Sequence, residues 1–401
     1  MFRRLLVVCL VVVGSGCTSA LRPPAIDASS ARAQLEVEMV EGNAVDILRN
    51  GEVFDALEQE IARAQSSVHI ILFIWRPGEP SDRITAALVE RARHGVRCRV
   101  VIDPFWSKGF DTQVKPRLEA AGCQVHIFEP LAEVRAPAQL VRREHRKLVV
   151  IDGRVGFTGG FGMWRSWLGD GSKKDEWRDV AVRFRGPVVA QAQKVFERDW
   201  KELTGNALEP DSYPPLVAEG HSRALFVGSE SPVAGGVSEA QRLHSWLIGE
   251  ARQRIWISNS YFVPSDEMSR ALVDKAANGV DVRVVAPGDK HDMPFVRAAQ
   301  RSTYEALVRG GVGVWEFEPT MMHSKSLVVD DRYAMVSSIN LDPMSMREAR
   351  ECGLVVDDPE VAQALAADFL WDQARSRPMY APTLHPWQSL ARVLMWTAGS
   401  I

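Results

Sequence analysis

Two stretches of the sequence place a histidine, a lysine and an aspartate at the same spacing. Residues 145–152 read HRKLVVID and residues 323–330 read HSKSLVVD, in a chain of 401 residues with only nine histidines. A lone histidine in a strand is most often an ordinary buried side chain. Two matched copies are much harder to attribute to chance. The candidate catalytic residues are therefore His145, Lys147, Asp152, His323, Lys325 and Asp330.

These residue types suit chemistry on a phosphate group. The apolar residues after each lysine predict a buried strand, in which side chains two apart point to the same side. A lysine ammonium can bind the non-bridging oxygens, and a neutral imidazole can attack phosphorus or transfer a proton. If both copies build one site, one histidine is the nucleophile and the other protonates the leaving alcohol. Asp152 and Asp330 come seven residues after the histidines, an odd step, so we expect them to fix local structure.

The elements that must position these segments are also repeated. Each half has a strand, an amphipathic helix that ends at glycine, and a second strand. The ranges are 67–74, 81–95 and 96–103 in the first half and 254–262, 265–279 and 280–287 in the second. Residues 122–130 (GCQVHIFEP) and 311–319 (GVGVWEFEP) then end in the same Phe-Glu-Pro. The pattern predicts an α/β fold of two similar lobes, each a mixed β-sheet flanked by helices, related by pseudo-twofold symmetry.

The paired HxKxxxxD segments resemble the signature of the phospholipase D superfamily. That superfamily continues with two small residues, one further residue and an asparagine, a pattern that residues 337–340 (SSIN) match. Residues 159–162 (GGFG) have Gly162 in place of the asparagine, so we expect one phosphate ligand fewer on that side and a neutral or helpful effect of Gly162→Asn. The resemblance implies phospholipase D-like lobes with the site at their junction, a phosphohistidine intermediate, and no metal or other cofactor. The implied phosphate-binding residues are Lys147, Lys325, Asn340 and Ser338.

Two carboxylates outside the motifs resemble those with which the superfamily orients its histidines. Asp179 lies in residues 175–187 (DEWRDVAVRFRGP), and Glu351 lies in residues 347–358 (REARECGLVVDD). A carboxylate that holds one ring nitrogen fixes the tautomer and stabilises the imidazolium. The alternative is that each forms a surface salt bridge. We expect His145, steadied by Asp179, to be the nucleophile, and His323 with Glu351 to form the acid–base pair.

Further stretches are similar to bacterial cardiolipin synthases, and the resemblance covers residues 45–373. The stretches are residues 107–110 (SKGF), 258–268 (SNSYFVPSDEM) and 340–345 (NLDPMS). The implied reaction converts two phosphatidylglycerols to cardiolipin and glycerol through a phosphatidyl-histidine. Three alternatives remain open: a phospholipase D that releases phosphatidic acid, a phosphodiesterase acting on nucleic acid, and a non-catalytic envelope lipoprotein. The resemblance implies a phospholipid substrate, phosphatidylglycerol. With a net charge of -3, the chain has no global basic field, so we expect no nucleic-acid partner.

The first residues predict export from the cytoplasm. Residues 1–16 contain two arginines, an apolar run too short to span a bilayer, and small residues before Cys17. This resembles the lipobox of bacterial lipoproteins, although Gly14 replaces its usual aliphatic residue, and an uncleaved signal anchor is the alternative. We expect lipidation at Cys17 and a location in the cell envelope of a bacterium, anchored to a membrane surface and facing the periplasm or the exterior.

The predicted organisation has five parts. They are a signal peptide at 1–16, a lipidated tether at 17–35, an N-terminal lobe at 36–210, a C-terminal lobe at 211–380 and an apolar tail at 381–401. Within the tail, Trp387 and Trp396 accompany a single charged side chain, Arg392, so the tail could pack on the body or dip into a lipid interface.

The cysteines of the predicted lobes show no metal-binding spacing. Cys98 and Cys123 fall in strand-like contexts, and Cys352 follows Glu351. No CxxC or Cys/His cluster suggests zinc. We therefore expect all three to be small buried hydrophobic side chains.

Overall fold

The computed structural model describes residues 32–35, 37–129, 142–232, 236–380 and 386–398. The predicted signal peptide, Cys17 and most of the predicted tether lie outside these residues. The strands are β1 (Val40–Arg49), β2 (Ser67–Leu72), β3 (Arg97–Ile102), β4 (Gln124–Ile127), β5 (Leu148–Ile151), β6 (Val155–Gly159), β7 (Trp177–Arg178), β8 (Val180–Arg185), β9 (Ser222–Ser229), β10 (Arg254–Asn259), β11 (Asp281–Pro287), β12 (Gly313–Phe317), β13 (Met321–Met322), β14 (Lys325–Val329), β15 (Tyr333–Ser337), β16 (Glu351–Asp357) and β17 (Ser376–Pro378). The α-helices are α1 (Glu52–Arg63), α2 (Glu79–Arg93), α3 (Lys115–Ala120), α4 (Val189–Thr204), α5 (Glu239–Glu250), α6 (Asp266–Ala277), α7 (Pro294–Arg309), α8 (Pro343–Arg347), α9 (Pro359–Gln373) and α10 (Pro386–Ala398).

The two halves have the same strand order, apart from an additional edge strand, β17, in the C-terminal half. The N-terminal half runs β1-β8-β6-β5-β2-β3-β4, and the C-terminal half runs β9-β16-β15-β14-β10-β11-β12-β17. Antiparallel pairing of β1 with β9, at Val40 with Ala224 and Asn43 with Ser222, joins the halves into one continuous sheet. The predicted α/β fold of two similar lobes is confirmed, with the addition that their sheets are one. The boundary between residues 210 and 211 falls in the connection from α4 to β9 and stays a prediction.

Helices cover both faces of this sheet. On one face, α4 and α9 share a single hydrophobic cluster, to which Phe196 and Phe369 contribute. On the other face, the N-terminal half packs α1, α2 and α3 in one cluster, and the C-terminal half packs α5, α6 and α7 in another. The motif strands β5 and β14 are buried along their whole length, because each lies inside the sheet between two helical layers.

The predicted helix starts differ in how well they match. Ser265, where the second predicted helix starts, caps α6, and its hydroxyl accepts the backbone N–H of Met268 at 3.1 Å. In the first half, α2 begins earlier, at Glu79, and Ser81 lies within it. The Ser81 hydroxyl accepts the indole N–H of Trp75 at 2.8 Å instead of capping the helix.

The expectation for two of the cysteines is wrong. Cys98 and Cys123 form a disulfide bond, with a Cα–Cα distance of 4.6 Å. The cause is the register of two parallel strands: Arg99 in β3 lies opposite Gln124 in β4, so the residue before each is brought alongside the other. Cys352 is a buried free thiol, as expected.

Candidate active site

Each motif strand brings its histidine and lysine into the interior. His145 and Lys147 are 4% and 1% exposed, and His323 and Lys325 are 5% and 1% exposed. Each lysine donates to the backbone carbonyl of its own histidine, at 2.7 Å in the first copy and 2.6 Å in the second. The backbone contact of the lysine is therefore the same in both copies, but only Lys325 also lies close to its imidazole, 3.0 Å from Nδ1 of His323.

The motif aspartates bind the backbone at the far ends of these strands. The Asp152 carboxylate accepts the backbone N–H groups of Gln65, Ser66 and Ser67 at 2.7 to 2.9 Å. Asp330 accepts those of Gln253 and Arg254 at 2.8 and 2.9 Å. Each aspartate thus ties its motif strand to the start of the neighbouring strand, β2 or β10. Their carboxylates are occupied by backbone groups, so we assign them a structural role.

The orienting carboxylates cross between the lobes. Nδ1 of His145 lies 2.7 Å from Oε1 of Glu351, and Nδ1 of His323 lies 3.1 Å from Oδ2 of Asp179. The structure brings both predicted acids to the histidines, but the pairing of His145 with Asp179 and of His323 with Glu351 is wrong. One site is therefore assembled from both halves of the chain.

Two short backbone contacts cause this crossing. The N–H of His145 donates to the carbonyl of Arg350 at 3.0 Å, and the N–H of His323 donates to that of Arg178 at 2.7 Å. The second contact continues the parallel pairing of β13 with β7. Arg350 directly precedes Glu351, and Arg178 directly precedes Asp179. Each acid is therefore held opposite the histidine of the other lobe.

Burial shifts the protonation of this site away from the charged forms. Burial, and then the ammonium of Lys147, holds the pKa of His145 well below its ordinary value. The same effects, with Lys325 as the neighbour, lower the pKa of His323 to about 4, against the opposing effect of Asp179. Burial also lowers the pKa of Lys147 to about 7 and that of Lys325 to about 8. An anion such as a phosphodiester would favour the charged forms of all four groups.

Burial acts in the opposite direction on the carboxyl beside His145. It raises the pKa of Glu351 to about 7, and the neighbouring Lys147 opposes the rise. The Nδ1–H of His145 donates to this carboxyl, which leaves a lone pair on Nε2. Nε2 is the atom that can act as a nucleophile.

The side chain of Asn340 is held in place beside Lys325. Its Oδ1 accepts the hydroxyl of Ser260 at 2.6 Å, and that hydroxyl in turn accepts a hydrogen bond from Nζ of Lys325 at 2.6 Å. Asn340 is fully buried, and within the described part of the chain its Nδ2 has no hydrogen-bond partner. Such a buried amide donor is satisfied by an ordered water or by a ligand, so Nδ2 can donate to a phosphate oxygen.

Ser338 does not fit the predicted role in phosphate binding. Its hydroxyl donates to Oε2 of Glu351, and its backbone N–H donates to the carbonyl of Cys352 at 2.8 Å. Both donors are already occupied, so we assign Ser338 to holding Glu351.

Gly162 has no room for the asparagine that the resemblance leads one to expect. A Cβ at this position would lie 2.9 Å from Cβ of Ile74 and 3.2 Å from the ring of Trp167. Atoms at the first of these distances overlap, so a side chain here requires its neighbours to shift. We therefore expect Gly162→Asn to be unfavourable, in contrast to the neutral or helpful effect that the resemblance suggests.

Aromatic rings surround His323, and the sequence reasoning missed them. Trp177 stacks on the imidazole with ring centroids 4.9 Å apart, and Trp167 meets it edge-on at 5.2 Å. Tyr261 lies 6.4 Å away, also edge-on. The sequence offered a signal for one of them, because Tyr261 belongs to the stretch SNSYFVPSDEM.

Two α/β lobes that cross-pair two HxKxxxxD histidines with acids define a phospholipase D-like protein. The family described as "Cardiolipin synthase, PLD-like domain" matches residues 57–200 and 246–373. The cardiolipin synthase of Geobacillus kaustophilus is 33% identical over 333 residues, which cover 81% of this chain and 65% of that protein. Cardiolipin synthase B of Salmonella typhi is 31% identical over 337 residues, which cover 81% of this chain and 79% of that protein. The chain belongs to the phospholipase D-like family of cardiolipin synthases.

A solved structure shares the fold. The phosphatidylserine synthase of Haemophilus influenzae superposes with a TM-score of 0.67 over 92% of this chain and 99% of that one. Its sequence is 14% identical, so the likeness concerns the fold alone. The chain spans about two thirds (65%) of the length of the Geobacillus protein, so for this chain the activity of that whole protein is a proposal.

Proposed function

We propose that the protein is a membrane-associated phosphatidyltransferase that converts two phosphatidylglycerols to cardiolipin and glycerol. The observation that carries the proposal is the crossed pair: each buried histidine is held by a carboxylate of the other lobe, beside a buried lysine. This arrangement offers a nucleophile and an acid in one site, which a two-step exchange at phosphorus requires. Family membership supports the choice of substrate.

The first displacement forms a phosphatidyl-histidine. Nε2 of His145 attacks phosphorus, the bond from phosphorus to the glycerol oxygen breaks, and His323 gives its proton to that oxygen. Lys147, Lys325 and Asn340 bind the non-bridging oxygens. Glu351 stabilises the positive charge that develops on the attacking imidazole.

The second displacement releases the product. His323, now neutral, takes the proton of the glycerol hydroxyl of a second phosphatidylglycerol. The resulting oxygen attacks phosphorus, the phosphorus–nitrogen bond breaks, and His145 is regenerated. Water in place of this alcohol would give phosphatidic acid, so the acceptor determines whether the outcome is transfer or hydrolysis.

Purified protein with vesicles of labelled phosphatidylglycerol tests this function. We expect labelled cardiolipin together with free glycerol, and no product from the matched protein carrying His145→Ala. Phosphatidic acid as the sole lipid product would replace the transferase by a hydrolase. The absence of any lipid turnover would contradict both.

A membrane surface is the proposed site of action, and exposed apolar side chains on α7 and α10 support this. Trp387 and Leu390 on α10 are both 57% exposed, and Phe295 at the start of α7 is 47% exposed. Ala391 packs α10 against α7 in a cluster that Tyr261 joins, close to His323. Exposed aromatic and aliphatic side chains of this kind suit a bilayer interface. Among the described residues, no helix has the length and apolar composition needed to cross a bilayer.

We further propose that Cys17 anchors the protein outside the cytoplasm of a bacterium. The bond between Cys98 and Cys123 supports an oxidising compartment, because disulfides rarely persist in the cytosol. Metabolic labelling with palmitate should mark the wild-type protein and leave Cys17→Ser unlabelled. Labelled Cys17→Ser would place the lipid elsewhere, whereas an unlabelled wild type would support the signal-anchor alternative.

A further inference from the structure

The two orienting acids are held by different donors. Glu351 accepts the hydroxyl of Ser338, whereas the matching position beside Asp179 is Gly160. A Cβ at Gly160 would lie 2.4 Å from both carboxylate oxygens of Asp179. A serine therefore cannot stand there without displacing the acid.

Trp167 supplies the missing donor. Its indole N–H donates to Oδ2 of Asp179 at 2.7 Å, and the side chain is fully buried. Its ring also occupies the space beside Gly162, 3.2 Å from where a Cβ would be. Gly160 and Gly162, two of the positions at which the first copy differs from the second, thus make room for Asp179 and for this indole.

The two carboxylates differ in how many hydrogen bonds the oxygen that faces the histidine accepts. In Glu351, one oxygen serves His145 and the other serves Ser338. In Asp179, Oδ2 accepts both the Trp167 indole and His323, while Oδ1 accepts the backbone N–H of Val180 at 2.7 Å. A carboxylate oxygen that already accepts one hydrogen bond stabilises a second, charged donor less.

We propose that Trp167 is a positioning residue that acts on His323 through Asp179. Its indole N–H fixes the carboxylate and weakens the hold of Oδ2 on the His323 imidazolium, so that His323 releases its proton more readily. The titration effect follows from the geometry alone. The catalytic benefit, a stronger acid for the leaving alcohol, rests on the proposed function.

Other charged or titratable groups face this pair, and the test must keep them constant. The groups that face His323 or Asp179 include Lys147, Lys325, Asp292, His145, Tyr261 and Arg178. Trp167→Phe removes an N–H donor and changes none of these charges. The Trp167 ring also meets the His323 imidazole edge-on, so a change in the titration of His323 reports the loss of that donor only where it disappears with the charge of Asp179.

Nuclear magnetic resonance of nitrogen-15-labelled histidine measures the titration directly. Trp167→Phe should raise the pKa of His323 by about one unit, because Oδ2 then serves the imidazolium alone. Trp75→Phe is the matched control, since Trp75 is also fully buried and also donates its indole N–H to a side-chain oxygen, at Ser81. Trp75→Phe should leave the pKa of His323 unchanged. In an Asp179→Asn background, Trp167→Phe should add no further shift, because the residue through which it acts has lost its charge.

An unchanged titration in folded Trp167→Phe would overturn the inference. If that variant does not fold, the wild-type protein decides. Its Trp167 indole proton should resonate downfield and should move as His323 titrates, whereas a resonance that ignores His323 would contradict the coupling. The pH profile of turnover in Trp167→Phe should shift in the same direction as the pKa of His323. If the wild-type protein turned over no lipid, the proposed function would be refuted. The titration of His323 would still test the role of Trp167, because it does not depend on activity.

Discussion

Replacing either motif histidine, by His145→Ala or His323→Ala, should abolish turnover and leave the fold intact. Removing a positioned acid or base costs about 10²- to 10⁴-fold in rate, and removing a nucleophile costs more. Both losses fall on one reaction because each histidine is held by an acid of the other lobe. Lipid turnover and thermal melting of the purified variants provide the measurement.

His94→Ala is the matched control for a lost imidazole. The His94 side chain is 58% exposed at the end of α2, so its removal should change neither activity nor melting. Near-normal activity in His145→Ala or His323→Ala would mean that the two copies do not share one site.

The two active-site variants should differ with a substrate whose leaving group needs no proton. A phosphatidyl ester of nitrophenol has such a leaving group, so His323→Ala should still release nitrophenol once. The labelled phosphatidyl group should then remain on the peptide that contains His145, because the acceptor alcohol lacks its base. Label on the peptide that contains His323 in the wild-type protein would reverse the assignment of the nucleophile and leave the two-displacement mechanism unchanged.

The repeated elements could be predicted from the sequence because their signals are local. Apolar runs gave the buried strands, and matched order in the two halves gave two similar lobes. The joining of the sheets had no comparable signal. It depends on antiparallel pairing of β1 with β9, two strands that lie far apart in the chain.

The crossed pairing of acids and histidines could not be read from the motifs. Asp179 follows the first motif and Glu351 follows the second, so sequence order favours pairs within each lobe. The actual pairs depend on single backbone hydrogen bonds to the carbonyls of Arg178 and Arg350. A contact that involves one residue on each side produces no periodic pattern in the sequence. The same limit explains the disulfide, since it depends on the register of β3 with β4.

The reason why the first copy has glycine at positions 160 and 162, where the second has serine and asparagine, is visible only in the packing. From the sequence, a glycine in place of an asparagine reads as a lost ligand. In the structure, both glycines accommodate Trp167 and Asp179. A glycine in one copy of a repeat can therefore indicate that a neighbouring side chain occupies the space that the side chain fills in the other copy. Comparison of the motifs alone does not detect this.

Asn340→Ala should lower turnover by about 10- to 150-fold, because one hydrogen bond to a charged phosphate contributes about 1.5 to 3 kcal/mol. Ser260 holds Oδ1 of Asn340 and leaves Nδ2 for the ligand. The loss should appear in kcat if the bond strengthens in the transition state, and in KM if it serves binding alone. Asn278→Ala, at the exposed end of α6, is the control and should leave both constants unchanged.

Gly162→Asn should not restore a matching ligand in the first lobe. Its Cβ would overlap Ile74 and press on Trp167, so we expect a loss of stability of about 1 to 3 kcal/mol and no gain in turnover. Thermal melting and steady-state kinetics of Gly162→Asn and Asn340→Ala measure the difference between the two lobes in phosphate binding. A Gly162→Asn protein that melts normally and turns over faster would show that the first lobe accepts a second amide donor. In that case the phosphate would be held by both lobes alike, and the role assigned to Trp167 in filling this space would fail with it.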